Sequence, residues 1–554
     1  MRIDVTSLFG RRNVNRWERM SVGDMLERVT YSFPDKEAII GWEGAYADQS
    51  NARLTYRQAN EKVNQFANGL LEKGLKRGDK ILLFCDNSVE ALIGKIGIAK
   101  AGLVAVPMNT MMAPDVIDYL IKFVEPQMLM VDAEHWEKVG PVCEENKLLP
   151  SITIPIGGEV IPGSRSFEHF IANRSKEEPD VEIHGDDIWE LLFTSGTTSM
   201  PKAVMISHTN TYLASYNFSL SLTRGIINES QLKICSFLPV IYHVGDQPFA
   251  FSNFLAGGTM VIGRKVEQGS IAEAVTKEKV TALWAGSPAF LSSWTDFILA
   301  RQDKYNISSL TVIVYGWSSL SPKYNKHLKT LCGDDLVLFE IFGQTESITC
   351  YRFWHDMWPE TYEKYAPHVN YVGVPSAILA SVIMDEEGNV IQEHGLAGEA
   401  VYRSPAIMSG YYKDEEATRN ALRHGWFHSG DSCMYDEEGL AVMVDRYKDI
   451  VKSGGENVSS IRVETVLMQH PAVERAAAIG LPDERWGEVV TGIVVMKQDV
   501  QVTEDELIHY CRESLAGFET PKQIFFVDKL PETVGGKVLK YRLRKQFSHE
   551  QQIT

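Results

Sequence analysis

The chain has 554 residues, 44% apolar and 23% charged, with a formal net charge of −18. This length exceeds what one core usually supports, so two or more domains are expected, with a soluble globular composition. The acidic balance argues against non-specific nucleic-acid binding, which needs a basic face, but local lysines can still hold anionic small molecules.

Seven cysteines (85, 143, 235, 332, 350, 433 and 511) include no C-x-x-C pair. They imply a reducing compartment, with neither a zinc site nor a disulfide framework. The N-terminal stretch lacks a long apolar segment, and no apolar run approaches the ~18–20 residues of a membrane span. A cytoplasmic protein with no membrane span is expected.

In chain order, Tyr56 to Leu75 carries Ala59, Val63, Phe66, Ala67, Leu70 and Leu71 at helical spacing. A turn over Gly74 to Asp79 leads to a short strand, Lys80 to Cys85. Ser88 to Ala101 reads as helix, Leu103 to Pro107 as strand, and Gln127 to Val131 as another strand. Alternation of this kind favours parallel or mixed sheets covered by helices. After a polar stretch to Asp187, Leu191 to Phe193 arrive as a strand and lead into Thr194, Ser195, Gly196, Thr197 and Thr198. Pro201 and Lys202 follow, before apolar Ala203 to Ile206. Small and hydroxylated residues let backbone N–H groups approach an anion, and one lysine adds a compact charge, so the stretch reads as a phosphate loop. It lacks the G-x-x-x-x-G-K-[ST] order of a Walker loop opening a helix. Taken alone, the loop also fits a Ser/Thr-rich surface turn.

Beyond it, Asn210 to Leu222 reads as helix and Lys233 to Val240 as strand. Gly258 to Ile262, Ala282 to Trp284, Thr311 to Tyr315 and Val337 to Phe342 continue as strands between helices. From Val372 to Val444 turns crowd together, which predicts a β-rich subdomain. The last hundred residues read as a compact unit: helix Ser460 to Gln469, strands Val473 to Ile479 and Val489 to Met496, a helix from a Thr503–Glu506 capping box, and strand Gln523 to Val527. The expectation is an α/β chain: a large multi-subdomain N-terminal domain, residues 1–446, with mixed α/β sheets and a β-rich subdomain, and a small α+β C-terminal domain, residues 447–554.

Several motifs, in order from about residue 20 to the end, together resemble the adenylate-forming acyl-CoA synthetases, relatives of aryl-CoA ligases, luciferases and peptide-synthetase adenylation domains. Thr194 to Lys202 matches the family's T-S-G-T-T-G-x-P-K-G, with Ser199 and Ala203 in place of two glycines. The resemblance gives this loop the ATP β,γ-phosphates. Phe342-Gly343-Gln344-Thr345-Glu346 matches aromatic-G-x-T-E: Phe342 would lie against adenine, Thr345 near the α-phosphate, and Glu346, a hard oxygen donor, would bind Mg²⁺. Gly316 and Trp317 join the same nucleotide site. Asp431, in His428-Ser429-Gly430-Asp431, would accept from both ribose hydroxyls, with Arg446 supporting the ribose or phosphate.

Lys537, in Val534-Gly535-Gly536-Lys537, matches the family's catalytic lysine, and Lys448 its hinge, so the resemblance implies a mobile small domain. The remaining basic tail, Lys540, Arg542, Arg544 and Lys545, reads as solvated helix face. Leu238-Pro239-x-x-Tyr242-His243 resembles the family's L-P-x-x-H segment beside the carboxylate. His243 joins the catalytic set, and Tyr242, His243, Asp246 and Trp317 the acyl pocket. Trp317 either shortens the acyl tunnel or points into the core. Asp246 would contact a polar or cationic group on the acid, as would Trp284. Lys452, Ser453, Gly454, Gly455, Glu456 and Trp486 would bind coenzyme A.

The resemblance implies a carboxylic acid, ATP and CoA giving acyl-CoA, AMP and pyrophosphate through an acyl-adenylate. A short or medium, branched or cyclic acid is expected. Alternatives are an adenylation enzyme loading an amino or aryl acid onto a carrier protein, and a betaine-type CoA ligase. ATP, Mg²⁺ and coenzyme A are the implied cofactors and co-substrates, and a homodimer is compatible with them.

Overall fold

In a computed structural model of the chain, residues 19–194, 201–224, 226, 228–242, 245–366, 369–446, 449–453, 456–483, 485–498, 500, 502–532 and 538–550 are described. Among them the strands form three sheets, of 14, 8 and 5 strands. The eight-stranded sheet is parallel from Arg165–Ser166 through Lys80–Phe84 and Val104–Pro107 to Ile188–Phe193. It then turns antiparallel, as Ala203–Ser207 folds back on Ile188–Phe193 and Gly410–Tyr411 caps the edge.

One half of the largest sheet is parallel, from Glu37–Gly41 across to Val337–Gln344. The other half, from Ser347–Trp354 through Phe427–Tyr435 and Ala441–Arg446, is antiparallel. The alternating segments predicted from the sequence thus give the mixed sheets, and the turn-rich stretch gives the antiparallel half. The five-stranded sheet is built entirely from residues after Ile450.

Between the two large sheets lies the helix Val89–Lys100, which touches Val104–Pro107 and Ile188–Phe193 on one side and Glu37–Gly41 on the other. Ser88 caps it, accepting from the Ala91 N–H at 3.1 Å. All twelve of its residues are buried, so it lacks the polar face of a surface helix. Each fully buried Leu or Ile along it contributes roughly 1.5–3 kcal/mol. Its charged residues are therefore matched inside the protein: Glu90 accepts from Asn51 at 2.7 Å and Ala47 N–H at 2.9 Å, and Lys100 pairs with Glu27.

Two segments depart from expectation. The strand predicted over 233–240 ends at Ser236, because Pro239 has no N–H and its neighbours are taken by one side chain. Asn87 donates to the Leu238 carbonyl at 2.9 Å and accepts from the Val240 N–H at 2.8 Å. The following stretch, Asp246–Phe251, is a buried π-helical turn running into the helix Ser252–Leu255. The basic tail differs too. On the helix Lys540–Glu550, Lys540 is nearly buried and pairs with Glu464 at 2.7 Å, and Arg544 pairs with Asp449 at 2.9 Å, so these two charges are not solvated helix face.

Candidate active site

The stretch Thr194 to Lys202 joins two antiparallel strands, with Phe193 opposite Ala203. Its neck is closed twice: Thr194 N–H donates to the Lys202 carbonyl at 3.0 Å, and Lys202 N–H donates to Thr194 Oγ1 at 3.2 Å. Ser195, Gly196, Thr197, Thr198 and Ser199 lie outside the described residues. Beside the neck, Lys202 Nζ sits 4.7 Å from the centre of the Tyr411 ring. Tyr411 is held there because Gly410–Tyr411 pairs with Ala203–Ser207, and its hydroxyl donates to Glu346 Oε1 at 2.8 Å. Burial and the Glu346 charge push the tyrosine's pKa up, so it stays a donor.

Thr345 and Glu346 form the two-residue turn between Val337–Gln344 and Ser347–Trp354. Gln344, just before that turn, reaches towards Asp431 Oδ2 and the Ser429 carbonyl, both at 3.4 Å. Asp431 faces Arg446 across an antiparallel pair, and Arg446 Nε lies 3.0 Å from Asp431 Oδ1. The turn carrying Asp431 is shaped by Glu399, which binds His428 Nδ1 at 2.7 Å and the Gly430 N–H at 2.9 Å. A cleft of about 530 Å³ opens here, with Lys202, Tyr411, Asp414, His428, Ser429 and Gly430 on its walls. The structure therefore gathers Thr194, Lys202, Gln344, Thr345, Glu346, Asp431 and Arg446 around one region.

Tyr411 and Glu399 were missed in the sequence. Both sit in a turn-rich stretch where no spacing distinguishes them. Their roles come from strands paired across long sequence separations.

An aromatic wall stands at the end of the strand Val312–Gly316. Trp317 is 45% exposed and adopts φ +77°, a left-handed conformation rare for a bulky residue. Its ring centre is 5.8 Å from that of Trp284, which stacks on Phe249 at 4.5 Å. Trp317 therefore does not enter the core. Gly316 lies so close to the neighbouring strand that a Cβ would meet the Ile341 carbonyl at 2.9 Å. Phe342, half-buried, packs at 6.2 Å between ring centres from Tyr351, and Gly343 follows it in the same strand.

Tyr242 is half-buried and hydrogen-bonded to Thr110; burial, then the Asp86 charge, raises its pKa. His243 lies outside the described residues. Asp246 corrects the expectation placed on it. It is fully buried, and Oδ2 is bound by Lys95 at 2.8 Å while Oδ1 accepts from the Gln247 N–H at 2.8 Å. A carboxylate so engaged is a structural partner of Lys95 rather than a contact for a bound acid.

Among the residues expected to bind coenzyme A, Ser453 pairs with both Glu456 and Gly487, which brings Lys452, Ser453, Glu456 and Trp486 to one end of the five-stranded sheet. Lys452 N–H donates to Glu488 at 2.8 Å, and the Arg485 guanidinium stands 4.9 Å from the centre of the Trp486 ring. Gly454, Gly455, Lys448 and Lys537 lie outside the described residues.

The model of the AMP-binding enzyme family matches residues 26–412, and that of the AMP-binding enzyme C-terminal domain matches residues 462–537. The chain belongs to this family. The 4-hydroxybutyrate–CoA ligase 2 of Metallosphaera sedula is 30% identical to it over 536 residues, 94% of this chain and 93% of the relative. A feruloyl-CoA synthase from Amycolatopsis sp. is 28% identical over 517 residues, 93% of this chain and 98% of the relative. The crystal structure of ATP-bound MatB from Rhodopseudomonas palustris shares the fold, with a TM-score of 0.81 at 24% identity over 95% of this chain and 99% of that one. The mixed α/β architecture read from the sequence is thus that of the AMP-binding enzymes. No helix among the described residues is long and apolar enough to cross a membrane.

Proposed function

We propose that this AMP-binding enzyme is an AMP-forming acyl-CoA synthetase. A carboxylate is a poor acyl donor, since resonance and its charge repel a nucleophile. Attack of one carboxylate oxygen on the α-phosphorus of ATP expels pyrophosphate and leaves an acyl-adenylate. The thiol of coenzyme A, ionised to a few per cent at neutral pH, then attacks the acyl carbon and releases AMP. The observation that carries this reading is the linkage of Lys202, Tyr411 and Glu346 beside the neck of the phosphate loop, tied through Gln344 to Asp431 and Arg446.

In this reading the loop Thr194 to Lys202 grips the leaving pyrophosphate, and Asp431 and Arg446 orient the ribose. Phe342 and Gly316 flank the base. Lys537 carries the charge that develops between carboxylate and α-phosphate. Glu346 has Oε2 without a partner among the described residues, a donor that suits Mg²⁺; the ion would neutralise phosphate charge there. Residues 447–554 would act as the mobile domain, turning about Lys448 so that Lys537 serves the first step and the Ser453–Glu456 segment the second. Trp317 narrows the acyl side, which favours a short, branched or cyclic acid. The seven free cysteines fit a reducing, cytoplasmic setting.

The test is a panel of carboxylic acids incubated with ATP, with and without CoA, and scored by mass spectrometry for AMP and acyl-CoA. Acid-dependent AMP with a CoA thioester is the expected outcome. ADP in place of AMP, or adenylate that never passes to CoA, overturns it; the latter would favour carrier-protein loading.

A further inference from the structure

We infer that the buried Lys95 ammonium is a positioning group, fixing Ile241 and Asp246, which flank Tyr242–Gly245 in the chain, against the strand that feeds the phosphate loop. The inference rests on the adenylation reading for its functional consequence, though not for its geometry. Lys95 lies in the middle of the buried helix Val89–Lys100. Its Nζ donates to the Ile241 carbonyl at 2.7 Å and to Asp246 Oδ2 at 2.8 Å, and it lies 2.5 Å from Glu190 Oε1. Two of the ammonium's three N–H donors are taken by hydrogen bonds to Ile241 and Asp246, and Glu190 adds a third contact as a close ion pair.

Those acceptors come from distant parts of the chain. Ile241 and Asp246 are the residues on either side of Tyr242–Gly245, so one side chain holds both flanks of that stretch of sequence. Glu190 stands in Ile188–Phe193, four residues before Thr194, where it pairs with Ile206 of the returning strand and with Ala105 of the neighbouring one. The flanks of the stretch assigned to the acid and the strand leading to the ATP phosphates are thereby fastened to one atom.

Stability alone does not account for this cluster. All three side chains are completely buried, and a buried ion pair is often no better for stability than well-packed apolar residues of similar volume. Two carboxyls also share one ammonium. Burial, then the Asp246 charge, pushes Glu190 up, consistent with a proton held inside the cluster. What the arrangement supplies that apolar packing would not is directional hydrogen bonding to a loop carbonyl.

The experiment uses the full-length protein. Lys95→Met alone would strand two buried carboxyls and risks unfolding, so the principal variant is Lys95→Met/Glu190→Gln/Asp246→Leu, which removes every charge together. Asp246→Asn, isosteric and milder, is the second. The first readout is hydrogen–deuterium exchange over residues 240–247, expected to quicken by roughly tenfold or more in the triple variant and by less in Asp246→Asn. The second is the KM of the acid in pyrophosphate release, expected to rise by roughly tenfold or more while the KM of ATP changes little. Unchanged exchange in a folded triple variant overturns the inference, as does unchanged exchange in Asp246→Asn should the triple variant not fold. Equal rises in both KM values would also overturn it, since general loosening would suffice. Wild type that forms no AMP with any acid defeats the functional reading, while the exchange comparison still decides the tether.

Discussion

The Tyr411 hydroxyl donates to Glu346 Oε1 at 2.8 Å, on a ring whose centre lies 4.7 Å from Lys202 Nζ. One side chain thus touches both the phosphate-loop lysine and the carboxylate proposed to bind the metal. Tyr411→Phe keeps the ring under Lys202 and removes only the donor. A hydrogen bond to a charged acceptor is worth about 1.5–3 kcal/mol, so pyrophosphate release should slow by roughly 10–100-fold. Thioester formation from supplied acyl-adenylate should not change. Equal loss in both half-reactions would remove Tyr411 from the first step.

Lys537→Ala separates the two steps most sharply. Loss of a charge that acts in the first transition state should cost adenylate formation about 10²–10³-fold. Acyl-adenylate supplied with CoA should still give thioester at near the wild-type rate, measured by single turnover. Parallel loss would refute the division of labour between the two domain arrangements.

Trp317→Gly tests the aromatic wall. Left-handed backbone at a non-glycine residue costs of order 1–3 kcal/mol, and glycine removes that strain. Losing the contact with Trp284 gives back about 0.5–1.5 kcal/mol, so the melting temperature should move little. Acid preference should move much more. Each buried methylene is worth about 0.8 kcal/mol, so an acid four carbons longer should gain up to roughly 200-fold in kcat/KM relative to a short one. An unaltered chain-length profile would place the pocket elsewhere.

His208 makes a prediction about acid. It is buried, its Nδ1 accepts from the Val22 N–H at 3.1 Å, and burial lowers its pKa from 6.5 to about 3. His355, buried beside Tyr315, is lowered to about 3 as well, again by burial first and then by Lys329. In the unfolded chain both would protonate near 6.5. Below that pH the unfolded state binds protons that the native state refuses, so stability falls, by up to about 1.4 kcal/mol per pH unit for each. The loss runs from pH 6.5 down to about 3 and vanishes above neutrality. His208→Asn keeps an acceptor for Val22 and should flatten the acid limb of a melting-temperature profile; an unchanged slope would contradict the assignment.

Much of the architecture was legible because its signals are local. The helix Tyr56–Glu72 has its apolar residues at helical spacing, and Thr55 and Gln58 form a capping box at its start. The predicted Thr503–Glu506 box likewise opens the helix Glu504–Arg512. The phosphate-loop neck was readable from small residues between two apolar runs. What escaped is non-local. Lys95 sits in a run of apolar residues, and its two carboxylate partners lie 95 and 151 positions further along the chain, so no periodicity announces the cluster. Asp246 looked like a pocket residue for the same reason. The π-helical turn Asp246–Phe251 is buried on every side and has no amphipathic pattern to betray it. Lys540 reads as one of several tail cations until Glu464 comes beside it.

The two glycines flanking the aromatic wall leave little room for inherited change. A Cβ on Gly316 would strike the Ile341 carbonyl at 2.9 Å, and one on Gly286, which has φ +70°, would strike Leu238 at 2.6 Å. Neither position can grow without moving backbone or repacking a neighbour. Trp317, with nearly half its surface free, is the member of the wall that selection can alter cheaply. Descendants of this chain that took up a new acid would be expected to carry the change at that codon first, with the glycines on either side left as they are.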